Sequence, residues 1–340
     1  MKVALDAQLT VGTATGIGEY VRGLDEALRK RGLDVVSLCE PRLDPWRFDR
    51  RLIWDQLVLP RRARAARAQI LHCAAGTMPL RVRLPVVVTV HDLAWHAVQS
   101  HAPGYARYYF GEFSLRRYAN AAYVVTDSNF SRHELLDLCS SIDPQRVNVV
   151  YPGVARDFAT LARTAGDGRT ILAVGTIEPR KNLEVLVRAL VDLPDARLVA
   201  VGPPTPYARE CAALAARLNV ASRLEMCGYV ARAELLRLYE TCAVAAVPSR
   251  YEGFGYAAAQ ALCAGVPCVV SERSSLPEVA GGDARVAGAD DPKAWAGALA
   301  AALAGEDDAR ARRVRAGAVA RFSWDASAVQ MERIYASVNR

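Results

Sequence analysis

The stretch Pro248-Ser-Arg-Tyr-Glu-Gly-Phe-Gly-Tyr-Ala-Ala-Ala-Gln-Ala-Leu-Cys-Ala-Gly-Val-Pro-Cys-Val-Val-Ser271 reads as the middle of a strand–turn–helix–strand unit. An apolar run over 244–247 leads into it and is stopped by Pro248. A glycine-bearing turn, Glu252 to Gly255, comes next, then an alanine-rich helix up to Gly265 and a second apolar strand from Val266. A helix that opens directly after two glycines points backbone N–H groups and the positive end of its dipole out of the turn, which suits an anion. The acid in the same turn, Glu252, suits hydroxyl groups instead. Phosphate together with a polyhydroxylated group describes a sugar nucleotide.

The same rhythm extends in both directions. Apolar strand-like runs at 2–5, 35–38, 70–72, 86–90 and 123–126 alternate with helical segments, and a second series follows at 170–174, 197–201, 224–226, 243–247 and 267–270. Continuous apolar strands separated by helices predict parallel sheets covered on both faces. A chain of 340 residues is long for one core and suits two. The stretch 147–153, followed by the polar 164–169, reads as the crossing between them. We therefore expect an α/β protein with domains at 1–165 and 166–324 and a closing helix within 325–340.

Composition narrows the function. No apolar run approaches the roughly 18–20 residues of a membrane span, and Met1-Lys-Val-Ala-Leu-Asp6 reads as a first strand, so cytoplasmic residence is expected. The eight cysteines form no C-x-x-C pair and read as buried reduced thiols, with no zinc site. Basic charge is concentrated early: residues 1–165 hold 22 basic and 16 acidic residues, the remainder 21 and 20. The stripe Arg61-Arg-Ala-Arg-Ala-Ala-Arg67 lacks interleaved aromatics, so nucleic acid is not expected. A solvated helix face is the first reading of the stripe and peripheral contact with an anionic membrane surface the second.

Further motifs sit at strand ends. Gly175-Thr-Ile-Glu-Pro-Arg-Lys-Asn-Leu183 is a strand–loop–helix entry whose Arg180 and Lys181 oppose the helix dipole unless an anion joins them; a surface loop with two solvated cations is the plain alternative. His91, in Val86-Val-Val-Thr-Val-His-Asp-Leu93, closes a buried strand, where polar side chains face a binding crevice; His72, His96, His101 and His133 read as structural. Gln260 lies eight residues after Glu252 and, taken alone, reads as a polar residue on an exposed helix face. Ser128-Asn-Phe-Ser131 and Ser274-Ser-Leu-Pro-Glu278 fit helix caps, with capping the first reading of Ser131. Gly12-Thr-Ala-Thr-Gly-Ile-Gly18, after the first strand, also fits the dinucleotide loop of a short-chain dehydrogenase. Such an enzyme needs Tyr-x-x-x-Lys, and no tyrosine here has Lys four residues on.

Taken in order, the Gly-rich loop, the "H-D-L" strand end, "G-x-x-x-x-R-K-N" and the Glu252–Gln260 spacing resemble the retaining glycosyltransferases of family GT4. The resemblance implies a GT-B architecture, two Rossmann-like domains facing a central cleft, with the acceptor in the first, the nucleotide-sugar donor in the second and the closing helix of 325–340 crossing back to join the first. It implies that Arg180 and Lys181 grip the donor diphosphate and that Glu252 and His91 contact the transferred sugar. Gly253, Phe254, Gly255 and Gln260 would cradle the nucleotide, with Gln260 standing where relatives carry a second Glu. Gly16 and Gly18 would lie near the donor phosphates, and Glu278 on the nucleotide side. No cofactor is expected, and no metal, because the chain has no Asp-x-Asp. The wording is closest to mannosyltransferase-like members of bacterial polysaccharide assembly, implying GDP-mannose or a related GDP-deoxyhexose and a saccharide or lipid-linked acceptor. A non-catalytic sugar-nucleotide-binding subunit is the other reading, supported by Gln260.

Overall fold

The computed structural model describes residues 1–12, 16–97, 103–164, 166–305 and 308–338. Its contacts divide the chain into two units, Met1–Gly153 with Phe322–Arg340, and Val154–Arg321.

In the first unit six strands form one parallel sheet, β1 (Lys2–Asp6), β2 (Asp34–Leu38), β3 (Ile70–Cys73), β4 (Val86–Val90), β5 (Tyr123–Thr126) and β6 (Val147–Val149), in the order β2-β1-β3-β4-β5-β6. All five residues of β4, Val-Val-Val-Thr-Val, are buried, as a strand covered on both faces requires. The sequence reading took 147–149 into the inter-domain crossing. Instead Val147 pairs with Val124 and Val149 with Thr126, so this short run completes the sheet before the chain leaves it. The closing helix, Trp324–Ser337, buries Ala328, Met331 and Tyr335 in the core of this unit. Gly23 and Gly153 give the Trp324 indole its room: a Cβ on either would come within 2.1 and 2.4 Å of it. Asp6 ends β1, His91 follows β4 and Asp127 follows β5, so the carboxyl edge of the sheet collects the polar side chains.

The second unit repeats the plan with β7 (Thr170–Val174), β8 (Arg197–Val201), β9 (Leu224–Gly228), β10 (Val244–Val247), β11 (Cys268–Ser271) and β12 (Arg285–Ala287), ordered β12-β11-β10-β7-β8-β9 and parallel throughout. Between β10 and β11 runs the helix Tyr256–Ala264, whose residues from Ala258 to Ala264 are all buried. Small side chains let it sit deep against the 154–321 core. The loops after β7, β10 and β11 therefore meet at one carboxyl edge.

Candidate active site

The loop after β7 is shaped by its ends. Pro179, Arg180 and Lys181 form a single 3-10 turn, and Asn182, left-handed at φ 54°, swings the chain into the helix Leu183–Ala189. Asn182 is wholly buried and donates to the Pro248 carbonyl (3.2 Å) and the Ala289 carbonyl (2.7 Å), tying this loop to those after β10 and β12. Arg250 adds a second tie: its backbone N–H donates to the Arg180 carbonyl at 2.8 Å and its guanidinium to Glu184 at 3.0 Å.

Both cations turn toward Glu252. Lys181 Nζ lies 2.5 Å from Glu252 Oε1 and Arg180 Nη1 3.3 Å from Oε2; Arg180 also bonds Glu178 at 2.8 Å and the Tyr251 carbonyl at 2.9 Å. The objection raised on the sequence, two cations crowding a helix start, is thus met within the protein. They lie in the turn ahead of the helix and face carboxylates. They also reach solvent, with side chains 21% and 22% exposed, so an arriving anion can join them. Burial alone would raise the Glu252 pKa, but Lys181 and then Arg180 outweigh it, and the Ser249 hydroxyl donates to Oε1 at 2.7 Å; the carboxyl is held below its usual range.

The turn carrying Glu252 is pinned from β11. Ser274 accepts the Glu252 N–H at 2.9 Å, and Ser275 donates to the Glu252 and Phe254 carbonyls at 3.0 and 2.9 Å. These serines hold the turn, and Ser275 makes no side-chain cap bond to its own helix, Leu276–Ala280, on which the half-buried Glu278 lies. Gly255 opens the helix Tyr256–Ala264 at φ 96°, and a Cβ there would meet Leu276 Cδ2 at 2.7 Å, so both backbone and space require glycine. Gly253 and Phe254 are buried beside it. Gln260, read as a ribose contact or an exposed polar residue, is only 6% exposed, and its Oε1 accepts from Tyr239 at 3.4 Å. The exposed-face reading is therefore replaced by a side chain packed between two helices.

The first unit holds a separate constellation. His91 Nδ1 lies 2.6 Å from Asp127 Oδ2, and its Nε2 lies 2.9 Å from the Ala74 carbonyl. Acceptors face both nitrogens, an arrangement the imidazolium satisfies with two N–H donors. Burial opposes that charge, yet Asp127 and the Ala74 carbonyl raise the His91 pKa. Behind it Tyr20 packs edge-on at 4.8 Å and bonds Thr89 (3.2 Å), which bonds His72 Nε2 (2.8 Å); His72 Nδ1 meets Tyr335 at 2.7 Å. Burial pushes His72 down to about 3, so the core histidine is neutral. His96 and His133 are exposed, and His101 lies outside the described residues. Ser128 caps the helix Asn129–Leu138 by accepting the Ser131 N–H; Ser131, expected to be the cap, is buried and donates to the His91 carbonyl at 3.4 Å. Gly16 and Gly18 fall in the first turn of the helix Gly16–Lys30, while 13–15 lie outside the described residues.

The structure thus gathers Arg180, Lys181, Glu252, Gly253, Phe254 and Gly255 in the second unit, and sets His91 with Tyr20 of the Gly16–Lys30 helix in the first. Asp127, Ser249 and Glu178 join these sites without having been singled out in the sequence; only their place at strand ends and loop starts could have marked them. Among the described residues no group of three or more His, Cys, Asp or Glu is placed to hold a metal ion.

Residues 162–319 match the family profile described as glycosyl transferases group 1, and residues 14–158 that of glycosyltransferase family 4. The chain belongs to glycosyltransferase family 4. It is 35% identical over 284 residues to the D-inositol 3-phosphate glycosyltransferase of Xylanimonas cellulosilytica, covering 76% of this chain and 67% of that protein. To the enzyme of the same name from Mycolicibacterium vanbaalenii it is 33% identical, covering 72% of this chain but only 60% of the relative's length. Among solved structures, sucrose-phosphate synthase from Thermosynechococcus elongatus superposes with a TM-score of 0.78 at 23% identity over 99% of both chains. Anabaena HepE in complex with UDP-glucose gives 0.74 at 16% identity, covering 99% of this chain and all of that one. The fold is the GT-B fold expected from the motifs, and the protein is a glycosyltransferase.

Proposed function

We propose that this glycosyltransferase moves a hexose, with retention at the anomeric carbon, from a nucleotide diphosphate sugar to an acceptor hydroxyl. The convergence of Arg180 and Lys181 on the turn that opens the Tyr256–Ala264 helix supports this most strongly. As the bond from anomeric carbon to diphosphate oxygen breaks, negative charge grows on the leaving group, and two fixed cations and a helix end stabilise it. The acceptor oxygen bonds the anomeric carbon on the face the diphosphate vacates, and its proton passes to the departing phosphate. Glu252, kept ionised by its cations, accepts hydroxyls of the sugar. His91, whose pKa Asp127 raises, is assigned to the transferred sugar.

GDP-mannose is the first donor to test, on the wording of the motifs, and a saccharide or lipid-linked alcohol the acceptor. A UDP-linked sugar is the second reading, since HepE is seen with UDP-glucose, and the relatives' name makes an inositol phosphate the second acceptor. The electrostatic work is assigned to side chains, so the reaction is metal-independent. Release of nucleoside diphosphate from GDP-, UDP-, ADP- and dTDP-sugars, each with excess EDTA and with magnesium, tests both statements. Turnover of one donor that survives chelation is expected. Activity lost with EDTA and restored by magnesium overturns the metal-independent reading, and no turnover with any donor favours a non-catalytic subunit.

A further inference from the structure

The first unit carries a face that its own fold leaves uncovered. The helical run made by Phe48–Ile53, a wider turn Trp54–Val58 and Leu59–Ala65 buries Arg51, Trp54, Asp55, Leu59 and Ala63. Its outward side is Arg50, Ile53, Leu57, Arg61 and Arg64, all exposed and three or four residues apart, which makes one continuous stripe. Arginines stand at both ends and aliphatic side chains in the middle. Neighbouring segments extend the face: Phe48 packs on Tyr105 at 4.7 Å, and Gln56 accepts the Leu80 N–H at 2.8 Å. Tyr105, Tyr108, Leu80 and Trp46 are each more than half exposed, so apolar and aromatic groups continue across it.

Charge is concentrated on the same segments. Residues 42–67, 80–83 and 104–117 hold thirteen arginines and four acids, a net +9 that exceeds the +7 of the whole chain. One of those acids, Asp55, is buried with Arg51, and Asp49 is paired with Arg47 at 3.3 Å, so outward arginines stay in excess. Such a face repels a second copy of itself. Single-stranded nucleic acid would use the aromatic rings for stacking but has no use for exposed Ile53, Leu57 and Leu80. Aliphatic side chains between tyrosines, tryptophan and arginines match the boundary layer of a lipid bilayer, where the apolar groups enter, the aromatics sit at headgroup level and the cations meet anionic lipid.

We propose that this face docks the enzyme on the surface of an anionic phospholipid bilayer, without crossing it. No helix among the described residues is long and apolar enough to span one. The stripe read first as a solvated helix face is, on this view, the rim of the docking surface. Vesicle co-sedimentation of the full chain tests the proposal without donor or acceptor, so it stands apart from the transfer reaction. Vesicles of phosphatidylcholine with a third phosphatidylglycerol should pellet the protein, and pure phosphatidylcholine should not. Raising salt from 0.1 to 0.5 M should weaken binding at least tenfold. Arg61→Gln with Arg64→Gln should weaken it roughly thirtyfold, and Leu57→Ser with Tyr108→Ser should also reduce it. All four sites are exposed, and an unchanged melting curve in each variant verifies the fold. No pelleting, equal pelleting with neutral vesicles, or variants that bind like the parent overturns the proposal. So does displacement from vesicles by an equimolar oligothymidylate, which would assign the face to nucleic acid.

Discussion

His91 has an acceptor before each ring nitrogen, the Asp127 carboxylate at 2.6 Å and the Ala74 carbonyl at 2.9 Å. Deprotonation would leave one of the two facing a lone pair, which is why the folded protein holds the proton above the usual 6.5. The sign follows from linkage. A raised folded pKa means stabilisation that is complete below the unfolded value and fades as pH climbs through the folded one. With Asp127→Asn the largest favourable contribution is gone and burial pulls the ring downward. A proton NMR titration should show His91 titrating above 6.5 in the parent and below it in Asp127→Asn. Identical midpoints would show that the carboxylate does not set the charge. The motif pointed to His91 but not to its partner 36 residues on, because a contact across two strand ends leaves no trace in local spacing. Ser274 and Ser275 were noticed for a capping pattern, whereas in three dimensions they serve the neighbouring turn.

Elements were far more legible than their meetings. The buried strands β1, β4, β7 and β8 announce themselves as continuous Val/Leu/Ala runs, and the alanine-rich run before Gly265 as a helix that must be deeply buried. The two strands that escaped, β6 and β12, are three-residue edges, where pairing with a neighbour decides the conformation and composition hardly speaks. The closing helix was expected to return to the first unit, and Trp324 shows how it is seated there, its indole lying on Gly23 of the Gly16–Lys30 helix. A methyl group at position 23 cannot coexist with that ring 2.1 Å away. Gly23→Ala should therefore destabilise the protein by about 1–3 kcal/mol, as overpacking does, despite raising helix propensity. Chemical denaturation with a midpoint equal to or above the parent's would mean that the helix is seated elsewhere.

At the scale of the whole molecule, two parallel sheets of six strands each carry polar side chains at their carboxyl edges. The second unit supplies the cations, the carboxylate and the helix end that a departing diphosphate requires. The first holds a histidine whose pKa is raised by Asp127, and a basic, apolar outer face. In the proposed reaction, transfer depends above all on leaving-group stabilisation by Arg180 and Lys181, and that is where the account is most exposed. The decisive measurement is kcat of Arg180→Ala and of Lys181→Ala with the donor the parent turns over, beside a melting curve for each. Loss of one leaving-group contact should lower kcat by roughly 10²–10³, about 2.7–4 kcal/mol of transition-state stabilisation by analogy with an oxyanion donor. The shift in fold stability should be much smaller. Near-parental kcat in both variants would contradict the account and remove the diphosphate from this loop.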